Sequence, residues 1–181
     1  MAEKDGKKSW VMVNRAPVLT LWAAVVAEVL GFAPDEALTL GRAVAGLNAY
    51  SKGVSLGLFQ PTPKEVKEQR QKMRNEETMT IDLLHRAVPV KHTDEGLRAL
   101  SGERSLRPES VQKYLESKFG DALKDVSDAM LELAKSLPPS HLAQKAYSLY
   151  EKFRPEIPSG KRGWGASGKL DLDLIRNMAS A

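Results

Sequence analysis

The longest apolar stretch of the chain, Pro17 to Leu30 (PVLTLWAAVVAEVL), is interrupted only by Thr20 and Glu28. A helix that is apolar on almost every face belongs in the middle of a packed domain or in a membrane. Its fourteen residues span roughly 21 Å as a helix, short of the roughly 20 residues that a bilayer crossing needs. The stretch is therefore read as a central core helix. Asn14 or Ala16 caps it, Pro17 sits in its first turn and Gly31 ends it.

Ala33-Pro34-Asp35-Glu36 starts a second helix, with acids where the helix dipole favours them, running to about Tyr50. Leu40, Val44 and Leu47 form a large apolar stripe on it, while Ala37, Gly41 and Ala45 form a small one. Small residues at that spacing let another helix come close. The short connection makes the first helix the natural antiparallel mate. Ser51-Lys52-Gly53 is read as the break, followed by a short apolar connection from Val54 to Phe59.

Thr62-Pro63 caps a helix of different character, KEVKEQRQKMRNEE over residues 64–77, with only Val66 and Met73 to bury. At 100° per residue, Lys64, Lys67, Arg70 and Arg74 share one arc of this surface helix, and Glu65, Glu68 and Glu76 another. Such segregation can offer a cationic ridge to phosphates; a solvated helix laced with pairs such as Glu68 and Lys72 is the plainer reading. Next, Met79, Ile81 and Leu83 alternate with Thr78, Thr80 and Asp82, and Leu97 to Leu106 reads as a hairpin around Ser101-Gly102. A small β element is expected around residues 78–107.

Three amphipathic helices follow. The first runs from Pro108 to Gly120 with Val111, Tyr114, Leu115 and Phe119 on one face. The second, capped by Asp121, carries Leu123, Val126, Met130, Leu133 and Leu137, and stops at Pro138-Pro139. In the third, Leu142, Ala146, Leu149, Tyr150 and Phe153 face inward until Pro155 ends it. Residues 155–170 change composition, with four glycines, two prolines and Trp164. Asp171 then caps a short last helix, with Leu170 and Ile175 as a hydrophobic staple.

Charge adds one feature. The chain carries a formal net charge of +4, and Lys152 to Lys169 alone holds five basic residues against Glu156. A mildly basic protein permits an acidic partner without requiring one. The absence of cysteine removes disulfides, thiolate metal sites and a cysteine nucleophile. No secretory signal precedes the apolar run, so an intracellular location is expected, cytoplasmic first with the nucleus left open.

Candidate chemistry is sparse. Gly163 to Lys169 satisfies G-x-x-x-x-G-K, but Leu170 stands where a phosphate-binding loop needs Ser or Thr for magnesium, and no buried strand precedes it. Anion binding by loop amides and Lys169 is the weaker form of that idea. Lys161 and Arg162 beside Trp164 also suit single-stranded nucleic acid, with Trp164 stacking on a base; a tryptophan folded back as an anchor is the favoured alternative. His85, His92 and His141 lack metal spacing, and neither Asp94-Glu95 nor Asp171-x-Asp173 defines an acid–base pair. A helix-turn-helix reader is disfavoured, since the second helix offers only Arg42, Asn48 and Lys52 as donors.

The sequence thus predicts a mainly α protein, a single bundle of seven or eight helices with a small β element. Residues 1–9 would be a disordered leader, 10–154 the helical domain, and 155–181 a basic loop and short helix packed on it. The expected function is a non-enzymatic intracellular binding or adaptor module, with nucleic acid the first candidate partner and no metal or cofactor. The expected contacts are Lys64, Lys67, Arg70, Arg74, Lys161, Arg162, Trp164 and Lys169. A protein–protein scaffold without nucleic-acid affinity is the alternative, and a small-molecule-binding protein or enzyme with a hidden pocket the third.

Overall fold

The computed structural model of the chain describes residues 9–55, 79–101, 104–156 and 167–180, with side chains described only as far as residue 48 in the first of these spans. In chain order the elements are β1 (Trp10–Asn14), α1 (Arg15–Val29), α2 (Pro34–Ser55), β2 (Met79–Leu83), β3 (Arg86–Thr93), β4 (Gly96–Ser101) and β5 (Arg104–Ser105). Then come α3 (Pro108–Phe119), a 3-10 turn (Gly120–Ala122), α4 (Leu123–Lys135), α5 (Pro139–Phe153), β6 (Ser167–Asp171) and α6 (Leu172–Ser180).

The expected helical bundle with only a small β element is therefore corrected. Two antiparallel sheets accompany the helices: a four-stranded one in the order β2-β3-β4-β5, and a two-stranded one made by β1 and β6. Six α-helices lie among the described residues, and the helix expected over residues 64–77 falls outside them. The β1–β6 pair escaped the sequence because five residues give too few alternations to register, and its two strands lie about 150 residues apart in the chain. A second correction concerns α2, which continues through Gly53 to Ser55. One interior glycine costs only about 1 kcal/mol, too little to stop a helix already propagating.

Helix α1 is the centre of the fold. From Pro17 to Ala27 every residue is buried, which accounts for a stretch with no polar face. Trp22 is fully buried; its Nε1–H donates to the Ala146 carbonyl of α5 at 2.8 Å, and its ring meets Phe153 edge-on at 5.2 Å. Against the opposite partner, α2, the backbones come so close that a Cβ on Gly41 would overlap the Thr20 carbonyl oxygen and lie 2.9 Å from the Ala24 nitrogen. The small stripe Ala37, Gly41, Ala45 is the surface that permits this approach, and all three residues are buried.

The four-stranded sheet is docked on α2 by side chains that satisfy strand backbone. Glu36 Oε1 accepts from the Ala33 N–H at 3.1 Å, and its Oε2 accepts from the Leu97 N–H of β4 at 2.9 Å. One turn on, Thr39 Oγ1 accepts from the Ala99 N–H at 3.1 Å. Residues three apart on a helix thus meet residues two apart on a strand, which fixes the register of sheet on helix. These bonds hold the Glu36 carboxyl below its usual value, the Leu97 amide foremost and the Ala33 amide second.

At the other end, β1 pairs with β6 in a register from Trp10↔Asp171 to Asn14↔Ser167. Gly168 lies so tightly on the Glu156 carbonyl that no side chain could replace its hydrogen. Asp171 Oδ1 then accepts from the Leu174 N–H at 3.1 Å, capping α6, while Leu170 and Ile175 are fully buried. Among the described residues, no helix is long and apolar enough to cross a membrane.

Candidate functional site

Polar and aromatic side chains converge where α2, the β2–β3 turn, the start of α1 and the end of α5 meet. The cluster begins with an unusual turn. Leu84 and His85 link β2 to β3 with φ of 49° and 62°, the left-handed conformation at both central positions of a two-residue hairpin. That turn ordinarily takes Asn-Gly, because a Cβ costs roughly 1–2 kcal/mol there. Leu84 offsets the cost by burying its side chain in the core, whereas His85 remains exposed.

The turn sets the direction of its neighbours. Arg86 Nη2 donates to Asn48 Oδ1 at 2.9 Å, and the Tyr147 hydroxyl donates to the same oxygen at 3.2 Å. The His85 ring stands 6.4 Å from that of Tyr147, and Tyr147 leads 5.7 Å further to Tyr150. Asn48 thus ties a sheet residue to an α5 residue through one carbonyl.

Two more guanidinium groups close the cluster. Arg154, just past α5, lies 5.8 Å over the Tyr150 ring. Arg15, first residue of α1, donates from Nε to the Pro155 carbonyl at 2.7 Å. Burial lowers the Arg15 pKa, and the neighbouring Arg154 charge lowers it further; Tyr150 and Glu156 act in the opposite sense with smaller effect. Among the described residues, neither guanidinium has a carboxylate within 4.0 Å. Two like charges near one another, with no ion pair among the described residues, raise each other's energy in the charged state.

Tyr150 carries the largest shift. It is 1% exposed, and burial pushes its phenol up to about 12 in spite of Arg154 and Arg15 nearby. A phenol displaced that way is neutral at physiological pH, so it neither attacks as a phenolate nor acts as a base. It is a packing group, with its ring 5.7 Å from that of Tyr147 and 6.1 Å from that of Phe153. No group of three or more potential metal ligands occurs among the described residues, and His85, His92 and His141 fall in none.

Of the eight expected contact residues, Lys169 is the one whose position is described. It lies on β6 opposite Met12, with Nζ 5.6 Å over the ring of Trp10. Gly168-Lys169 therefore belongs to a strand, which corrects the reading of these two residues as the end of a phosphate-cradling loop. Lys64, Lys67, Arg70, Arg74, Lys161, Arg162 and Trp164 lie outside the described residues. Arg42, counted as a donor of the second helix, instead lies 5.0 Å over the Tyr114 ring. The cluster of Arg15, Asn48, Arg86, Tyr147, Tyr150 and Arg154 was missed because its members come from four separate parts of the chain. In the sequence Asn48 stands out only as a donor of the second helix, Tyr150 only as a core residue and Arg154 only as part of the basic excess near the C-terminus.

No protein-family model, no curated protein and no solved structure matches this chain.

Proposed function

We propose that the protein is a non-enzymatic, intracellular binding module for an acidic partner, with single-stranded nucleic acid the ligand that suits the cluster best. The observation behind this reading is the pair Arg15 and Arg154, held beside one another around Tyr150 without an ion-pair partner among the described residues. Guanidinium groups present planar, bidentate donors that match a phosphate. Arg86 adds a third, and the exposed His85 beside Tyr147 offers ring faces against which an unpaired base can stack. Glu156, whose charge acts on Arg15, and Glu151, whose charge acts on Tyr150, are both exposed.

The test is binding of a fluorescent oligo-dT to the full chain across a salt series. Log affinity should fall linearly with log salt, by about 0.7 for each phosphate neutralised on a single strand. Inorganic polyphosphate serves as the comparison, since it has the charge without the bases. Tighter binding of oligo-dT supports the nucleic-acid reading. Equal binding would reduce the proposal to a polyanion site, and no binding of either at low salt would overturn it.

A further inference from the structure

The terminal sheet carries a second surface, independent of the arginine cluster. Leu172 N–H donates to the Ser9 carbonyl at 2.9 Å, which extends the β1–β6 register by one residue pair and marks that pair as hydrogen-bonded. In an antiparallel ladder, hydrogen-bonded and non-bonded pairs alternate. Val11↔Leu170 and Val13↔Gly168 are then the bonded pairs, and Trp10 and Met12 direct their N–H and C=O away from β6. No backbone or side-chain partner among the described residues takes up those groups. Beside this edge runs a groove of about 500 Å³, lined by Ser9 to Met12 on one wall and Phe119, Asp121 and Ala122 on the other.

Unpaired edges are usually blunted by proline, charge or a covering element. Strand β1, WVMVN, has neither proline nor charge. It also leaves two large apolar side chains out, Trp10 at 49% and Met12 at 52% exposure. Lys169 under Trp10 holds that ring in place. Among the described residues of the lining, one is charged, Asp121, whose carboxylate is exposed.

We infer that this groove takes an extended peptide of a partner protein, added to β1 as a third strand, with a basic residue facing Asp121 and apolar residues along Trp10 and Met12. Main-chain bonds to the edge supply affinity, and side chains on alternate positions supply selectivity.

The test uses the full chain, ¹⁵N-labelled, titrated with acetyl-TVKVTV-amide and followed by amide NMR. Amide signals of Trp10 and Met12 should shift and gain protection from hydrogen exchange, while those of Val11 and Val13, already paired, change little. N-methylating the peptide at every second residue should weaken binding about tenfold or more in one phase and hardly at all in the other, since only alternate residues face the edge. Asp121→Lys, an exposed change that leaves the strand intact, should weaken this peptide but not its variant with Glu in place of Lys. Four results would overturn the inference. They are no shift at Trp10 and Met12 up to millimolar peptide, both N-methylated phases binding alike, the two amides already protected in the free monomer, and protection that grows with protein concentration alone. The last would mean that β1 pairs with a second copy instead.

Discussion

Replacing a helix-interior glycine by alanine ordinarily stabilises a protein by about 1 kcal/mol, because glycine has more backbone freedom to lose. At Gly41 the sign should reverse. The new methyl would overlap the Thr20 carbonyl oxygen and sit 2.9 Å from the Ala24 nitrogen and 3.1 Å from the Ala24 methyl. The first two are backbone atoms, four residues apart within α1, and no side-chain rotation relieves them. Helix α1 cannot simply retreat, since Trp22 on it is bonded to Ala146 and packed on Phe153. Overpacking of a tight interface costs about 1–3 kcal/mol. Two backbone atoms that cannot rotate away put the cost at the upper end, about 3 kcal/mol; with the propensity gain of about 1 kcal/mol subtracted, Gly41→Ala should destabilise by about 2 kcal/mol, a fall in Tm of roughly 4–8 °C for a chain of this size. Gly46, on the same helix but exposed with nothing within 4 Å of a built Cβ, is the internal control. Gly46→Ala should show the ordinary gain. Urea denaturation of the two variants against the parent measures both effects. Equal stabilisation by both would refute close packing of α1 on α2.

Three further predictions follow from the titrations and the strained turn. Tyr150 titrates higher in the folded chain than when unfolded, so its contribution is complete below about pH 10 and is lost as pH rises towards 12. Tyr150→Phe should remove about 2–3 kcal/mol of the parent's alkaline loss between those values, seen as a flatter stability curve; an unchanged curve would place the hydroxyl in water. Glu36 behaves in the opposite sense, its pKa being lowered by the Leu97 and Ala33 amides, so its contribution is present above the ordinary carboxylate value and lost as pH falls through the lower folded one. Glu36→Gln keeps one acceptor of the two and should cost about 1 kcal/mol at neutral pH, with the difference from the parent vanishing in acid; a difference independent of pH would argue against the charged bond. His85→Gly should relieve the left-handed turn and raise stability by about 0.5–1 kcal/mol while weakening oligo-dT binding. Higher stability with unchanged binding would take His85 out of the proposed ligand contact.

How much of this was legible in the sequence depended on how local the determining interactions are. The continuous burial of Pro17 to Ala27 and the close-packing stripe around Gly41 are patterns within single helices, and both could be read directly. The helix starts at Pro34, Pro108 and Pro139 carry their own punctuation. The β1–β6 sheet could not be read, because its register depends on residues at opposite ends of the chain and on Gly168 fitting against Glu156. Strand β3 is also hard to read, since Pro89, a residue that ordinarily argues against a strand interior, sits inside it opposite Thr80. The arginine cluster was invisible for a related reason. Arg15, Arg86 and Arg154 are unremarkable in their own segments, and only tertiary contact makes them neighbours.

The central claim is that Arg15 and Arg154 meet an anion that the described chain does not itself supply. The direct measurement is the salt dependence of oligo-dT binding for the parent and for Arg154→Gln, with Tm recorded for both. Arg154 packs on the Tyr150 ring and makes no ion pair among the described residues, so its replacement should leave Tm nearly unchanged. The account predicts that the slope of log affinity against log salt becomes shallower by about 0.7, one phosphate contact on a single strand. The same slope and affinity in the two proteins, at equal Tm, would contradict it.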